Sequence, residues 1–228
     1  MKNPMYSLSE ENYLKAIFFL STPEKPGVST NDVAHRLETK ASSATDMLRK
    51  LHDKGLVEYV KYKGTSLTKE GERVAVKVIR KHRLWEVFLV DHLGFKWDEV
   101  HEIAEQLEHI QSVELTERLE AFLNHPQFDP HGDPIPNHEG IFPVSHRIEL
   151  VDIPTGNGGK LVGVQDTSPE FLHYLEGQQL GLGAHVKVIE VFAYDGSMLV
   201  EVDLKRQLTL SRAVCKQLLI QNSPTKNA

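Results

Sequence analysis

Apolar residues recur at helical spacing through the first fifty positions. Ser7-Leu8-Ser9-Glu10 has capping-box spacing, and Leu14, Ile17, Phe18 and Leu20 follow it, so the pattern predicts a first helix that ends before Pro23. Ser29-Thr30-Asn31-Asp32 opens a second, shorter helix carrying Val33, Ala34 and Leu37. Ser43-Ala44-Thr45-Asp46 opens a third, with Ala44, Met47, Leu48 and Leu51 on one face and Gly55 placed to stop it. Leu56-Val57-Glu58-Tyr59-Val60 reads as a strand, Lys61-Tyr62-Lys63-Gly64-Thr65 as a turn and Ser66-Leu67-Thr68 as the returning strand.

Three short helices followed by a hairpin is the order of a winged helix-turn-helix, with the second and third helices as the helix-turn-helix pair. Helical periodicity resumes near Glu70 and runs past Val90, then returns over Trp97 to Ile110 and Thr116 to Leu123, which reads as a helical bundle for packing or dimerisation. Pro, Gly and His crowd the stretch from Pro126 to Pro154, read as linker and extended segments. Beyond Gly156, Leu161-Val162-Gly163-Val164, Val186-Lys187-Val188-Ile189 and Met198-Leu199-Val200-Glu201-Val202 read as short strands of a small barrel. The predicted class is mainly α with a small β domain. The expected organisation is a winged head over 1–75, a helical metal-binding and dimerisation domain over 76–145, a linker over 146–155 and an SH3-like barrel over 156–228.

Charge sharpens this picture. Residues 1–81 hold 15 Lys and Arg against 10 Asp and Glu, whereas residues 82–228 hold 11 against 22 and ten of the twelve histidines. A basic head suits a polyanion, and an acidic, histidine-rich remainder suits cations. With a single cysteine, Cys215, an internal disulfide and a multi-thiolate zinc site are both excluded, which fits a reducing cytoplasm. No apolar run is long enough to span a bilayer, and the first residues lack the apolar core of a secretion signal, so no membrane association is expected.

On the third helix, the side opposite its apolar face carries Ser42, Thr45, Asp46 and Arg49, flanked by Ser43 and Lys50. Short hydroxyls near a helix start can contact bases and phosphates, and the cations can neutralise phosphates. Lys40 ahead of the helix, with Lys61 and Lys63 at the wing tip, extends the candidate DNA face.

The densest chemistry lies at His101-Glu102-Ile103-Ala104-Glu105-Gln106-Leu107-Glu108-His109. His101, Glu105, Glu108 and His109 are spaced i, i+4, i+7 and i+8, so at about 100° per residue they share one helix face. Val100, Ile103, Leu107 and Ile110 take the other side. His82 and Glu86, again i and i+4, offer a second such face, and two helices that each present His and Glu resemble the carboxylate metal sites of bundles. Oxygen and imidazole donors suit manganese or iron(II) and exclude thiolate-type zinc binding.

With these residues in place the sequence resembles the diphtheria toxin repressor family, and within it the manganese transport regulators. The resemblance runs through Glu11-Asn12-Tyr13-Leu14-Lys15-Ala16-Ile17, Leu67-Thr68-Lys69-Glu70-Gly71, Arg80-Lys81-His82-Arg83-Leu84-Trp85-Glu86, Val100-His101 to Glu108-His109, and His131-Gly132-Asp133-Pro134-Ile135-Pro136. It covers nearly the whole chain, and residues from about 148, with Asp152-Ile153-Pro154-Thr155-Gly156, match the C-terminal domain of the longer members. The resemblance implies a homodimeric, metal-activated repressor that binds palindromic operators of metal-uptake genes, takes no small organic substrate and catalyses nothing.

It further implies a primary site of Asn12, His82, Glu105, Glu108 and His109. Iron-responsive members have Met and Cys where this chain has Asn12 and Glu105, and manganese-responsive members have Asp and Glu. Glu105 therefore implies Mn(II), with Fe(II) as the alternative; Asn12 departs from both patterns, and Lys15 stands where some manganese members have Glu. An ancillary site is implied at Glu86, Asp129, His131 and Asp166, with His101 and Glu170 as the set that iron-type members would use. On this reading metal ties the first helix, through Asn12, to the bundle and fixes the angle between the heads. Two rival readings are a metal-dependent hydrolase built on the His/Glu cluster and a scaffold whose barrel binds peptides.

Overall fold

The computed structural model describes residues 6–23, 27–60 and 64–222. Lys61 and Lys63 lie outside the described residues. The chain divides into two compact units, one of residues 1–85, 104–122 and 136–142, the other of residues 86–103, 123–135 and 143–228.

In the first unit, α1 (Leu8–Leu20) starts where the capping box predicts: the Glu10 N–H donates to Ser7 Oγ at 3.3 Å and the Ser7 N–H to Glu10 Oε2 at 3.0 Å. Such a cap is worth about 1 kcal/mol. α2 (Thr30–Arg36) is capped by Ser29, whose hydroxyl accepts the Asp32 N–H. α3 spans Ala41–Asp53, starting two residues before Ser43, because Lys40 takes the extended N-cap conformation without a side-chain cap; Ser42 and Ser43 therefore fall in its first turn. It ends at Gly55, which adopts the left-handed φ of +69° that other residues adopt only with strain.

The hairpin pairs β1 (Val57–Val60) with β2 (Gly64–Leu67), and Val28 bridges to Thr65 on its other edge. Leu14, Ile17, Val33, Ala44, Leu48, Leu51 and Leu56 form one buried core beneath these elements, which completes the winged helix-turn-helix. The long α4 (Lys69–Leu93) follows. α5 (His101–Leu107) is shorter than the span predicted from Trp97 to Ile110, and α6 (Val113–Phe122) starts three residues before the predicted Thr116.

The second unit is built on a six-stranded antiparallel sheet in the order β3-β8-β4-β5-β6-β7. Its strands are β3 (Ile148–Glu149), β4 (Gly158–Val164), β5 (His185–Val191), β6 (Met198–Val202), β7 (Arg206–Leu210) and β8 (Leu218–Asn222). β6 coincides with the predicted Met198–Val202, and β4 and β5 contain the predicted Leu161–Val164 and Val186–Ile189 and extend beyond them. A short 3-10 turn, Leu150–Asp152, follows β3, and Leu150 and Ile153 enter the sheet's core with Leu161, Val186, Val200 and Ile220. α7 (Pro169–Gly177) contributes Leu172 and Leu175 to that core, and α8 (Arg212–Gln217) contributes Cys215. Burial pushes the Cys215 thiol up to about 11, so it offers no thiolate.

Candidate functional site

Within the first unit, α1, α4 and the end of α5 bring one set of donors together. Glu108 is fully buried, held in the helical turn by its N–H to the Ala104 carbonyl. Its carboxylate meets His82 Nδ1 at 2.5 Å and accepts from Lys15 Nζ at 2.7 and 3.0 Å. Burial works to raise the Glu108 carboxyl, but the His82 contact and the Lys15 charge outweigh it and hold it below its ordinary range. Glu105 is exposed, its Oε1 3.7 Å from Lys15 Nζ.

His109 is gripped from α1. Glu11 accepts from His109 Nδ1 at 2.6 Å and from the Gln111 side chain at 2.7 Å. In the neutral ring that bond places the proton on Nδ1 and leaves the Nε2 lone pair, 3.7 Å from Glu108 Oε1, as the ligand atom. Two carboxylates and two imidazoles with no thiolate are donor types that suit Mn(II), Fe(II) or Zn(II), although no three of these four bring ligand atoms within 4.8 Å of one another, and a buried carboxylate such as Glu108 needs positive charge beside it.

Asn12 is exposed on α1, and among the described residues no hydrogen bond or ion pair joins it to these donors. The α1 residues that do reach them are Glu11 and Lys15. Their i, i+4 spacing was the available signal, since it puts a carboxylate and an ammonium on one helix face.

A second cluster lies within the other unit. Ligand atoms of Glu86, Asp129 and His131, all buried, lie within 4.8 Å of one another. His131 Nδ1 is 3.7 Å from Glu86 Oε2 and 3.9 Å from Asp129 Oδ1, while its Nε2–H donates to the Trp97 carbonyl at 2.7 Å. Burial opposes charge on this ring, but Glu86 and Asp129 together push it up to about 9. Asp129 Oδ1 also accepts the N–H groups of His131 and Asp133, which curls the loop around the carboxylate. Exposed His101 has Nδ1 3.5 Å from Glu86 Oε1. Asp166 Oδ1 accepts the Ser168 N–H ahead of α7, and Glu170 is exposed in the first turn of α7; neither makes an ion pair with the cluster among the described residues.

On α3, Ser42, Ser43, Asp46, Arg49 and Lys50 are exposed, as is Lys40 ahead of it. Thr45 is half-buried and donates to the Ala41 carbonyl, and Arg49 lies 3.9 Å from Asp46. Lys50 and the neighbouring Lys54 also reach back to Glu10 of α1, at 3.1 and 2.5 Å. Glu10 is buried, which alone would raise its carboxyl, yet these lysines and Ser7 hold it at about 2. Glu10→Gln is expected to cost about 1.5–3 kcal/mol, the worth of hydrogen bonds to a charged group. Because the folded-state value is depressed, this stability is complete above the ordinary 4.5 and is lost as pH falls toward about 2, so acid denaturation followed by circular dichroism should start less steeply in the variant.

Three family descriptions match in succession. "Iron dependent repressor, N-terminal DNA binding domain" matches residues 5–65, "Iron dependent repressor, metal binding and dimerisation domain" residues 68–137, and "FeoA domain" residues 148–222. The chain is similar to the iron-dependent repressor IdeR of Mycobacterium tuberculosis, 33% identical over 156 residues that span 64% of this chain and 66% of that one. Among solved structures, it resembles a manganese-dependent transcriptional repressor in complex with manganese, at 34% identity and a TM-score of 0.82, covering 94% of this chain and all of that one. The manganese regulator SloR is 35% identical with a TM-score of 0.73, covering 94% of this chain and 98% of that one.

Proposed function

Since the chain belongs to the diphtheria toxin repressor family of metal-dependent transcriptional repressors, we propose that it is a Mn(II)-activated repressor of metal-uptake genes that binds palindromic DNA as a homodimer. A family of repressors also sets the hydrolase reading aside. One observation carries the proposal. Glu10 and Glu11, adjacent on α1, face two different partners: Glu10 takes Lys50 of α3 and Lys54 just after it, and Glu11 takes His109 beside Glu108.

A bound dication would supply the charge that lets Glu105, Glu108, His82 and His109 sit together. The chain's own residues do the rest. Glu11 fixes the ring of His109, and that grip steadies α1. Through Glu10, α1 then holds α3 in one orientation, so less ordering entropy is lost when α3 enters a groove. Exposed Leu115 and Phe122, seven positions apart on one side of α6, offer apolar surface suited to a second copy. The hard carboxylates Glu105 and Asp129 favour manganese, with Fe(II) as the alternative. Glu86, Asp129 and His131 form the ancillary site, with His101 at its exposed side.

Glu11→Gln is expected to weaken manganese binding about 10–100-fold, the usual loss when a ligand histidine's carboxylate partner is removed. Isothermal titration of the full chain checks this. The function itself is tested by fluorescence anisotropy on an inverted-repeat duplex from a neighbouring metal-transporter promoter, at fixed salt. Manganese should tighten binding at a lower concentration than anaerobic Fe(II), with Zn(II) run as a third metal. A stronger response to iron would replace manganese by iron, and no response to any metal would refute the proposal.

A further inference from the structure

The primary cluster already contains a cation. The Lys15 ammonium lies 2.7 and 3.0 Å from the two Glu108 oxygens, 3.4 Å from His82 Nδ1 and 3.7 Å from Glu105 Oε1. These are three of the four donors that the proposed metal site needs. The side chains of Lys15 and Glu108 are only 12% and 1% exposed, so this pair is shielded from solvent on both sides. We propose that Lys15 is a resident competitor for the metal: its ammonium occupies the donors' focus in the metal-free protein and must withdraw before a divalent cation can bind.

Charge and space set the two cations against each other. Removing Glu108 from water without a counter-charge is expensive, and Lys15 provides that charge from within the chain. A dication contacting the same oxygens would lie within a few ångströms of the ammonium, where the repulsion in a desolvated setting is large. The two cations therefore exclude one another. Lysine is well suited to leave, since its charge rides on a flexible four-carbon stem. The effect is to weaken metal affinity by the free energy of the Lys15–Glu108 contact. That sets the metal concentration at which the protein responds, without altering which atoms ligate.

This inference rests on the metal-site reading given above, and the test separates the two. Full-length wild type, Lys15→Met, Lys15→Gln and Lys15→Arg are titrated with Mn(II), and free manganese is read by electron paramagnetic resonance. Gln keeps hydrogen-bond donors for Glu108 but no charge, so it serves where Met fails to fold. Loss of the charge is expected to tighten binding tenfold or more at one site per chain, and Lys15→Arg, which keeps it, to stay within threefold of wild type. In parallel, the metal-free Met and Gln variants should melt at lower temperature than wild type and gain more from manganese. If Met and Gln bind manganese with wild-type or weaker affinity, the competitor role is overturned while the site stands. Should wild type and all three variants bind no manganese, the site reading falls and this inference with it.

Discussion

Replacing Glu108 by glutamine is expected to remove metal-dependent operator binding, with manganese affinity at the primary site falling about 100-fold or more, or roughly 2.7 kcal/mol. Glu108 is the fully buried member of the cluster, and it meets His82, Lys15 and His109 together. Glutamine keeps the shape but gives up the charge that a dication needs, and one carbonyl oxygen is a weaker ligand than a carboxylate. It also strands the Lys15 ammonium, so the metal-free variant should lose about 1–3 kcal/mol of stability. Calorimetric titration with manganese and anisotropy on operator DNA measure the two effects separately. Unchanged manganese affinity in Glu108→Gln would mean that the metal binds elsewhere.

The second large effect is structural. Gly132 lies at φ +86° in the loop that presents Asp129 and His131, and a Cβ there would fall 2.0 Å from the Val162 carbonyl oxygen and 2.4 Å from Gly163 Cα. Backbone cannot yield as a side-chain tip can, and an L side chain is strained at that φ. Gly132→Ala is therefore expected to cost about 3 kcal/mol and to displace the loop with its ligands. Thermal melting should show the loss, and manganese stoichiometry should fall by one ancillary ion per chain while the primary site keeps its affinity. Wild-type stability and stoichiometry in this variant would show that the loop is not held by the close approach of β4.

Legibility in the sequence followed the strength of local signals. α1, α2 and α3 announced themselves through Ser7, Ser29 and the apolar stripe of Leu48 and Leu51, because caps and a 3.6-residue period are local. The helix–hairpin order then identified the winged head. β7 and β8 were not read, since Arg206–Leu210 and Leu218–Asn222 are short and β8 follows α8 without a turn residue. α7 carried a start signal in Ser168-Pro169, but its nine residues are too few for a clear period. At the site, helical spacing grouped His101, Glu105, Glu108 and His109 and paired His82 with Glu86, whereas the structure places His101 3.5 Å from Glu86. It could not say that Glu11, rather than Asn12, faces His109, because that depends on how α1 is rotated against its neighbours. The junction of Glu86 with Asp129 and His131, more than forty positions away, is a tertiary fact that only the family resemblance anticipated.

Manganese stoichiometry of the purified full-length chain tests the account most directly, comparing wild type with Glu108→Gln, His131→Ala and the double variant after equilibrium dialysis. Wild type is expected to hold two ions per chain, each single variant one and the double variant none, with operator binding lost in step with the ion held by Glu108. A wild-type chain that retains no manganese, or single variants that both retain two ions, would contradict it.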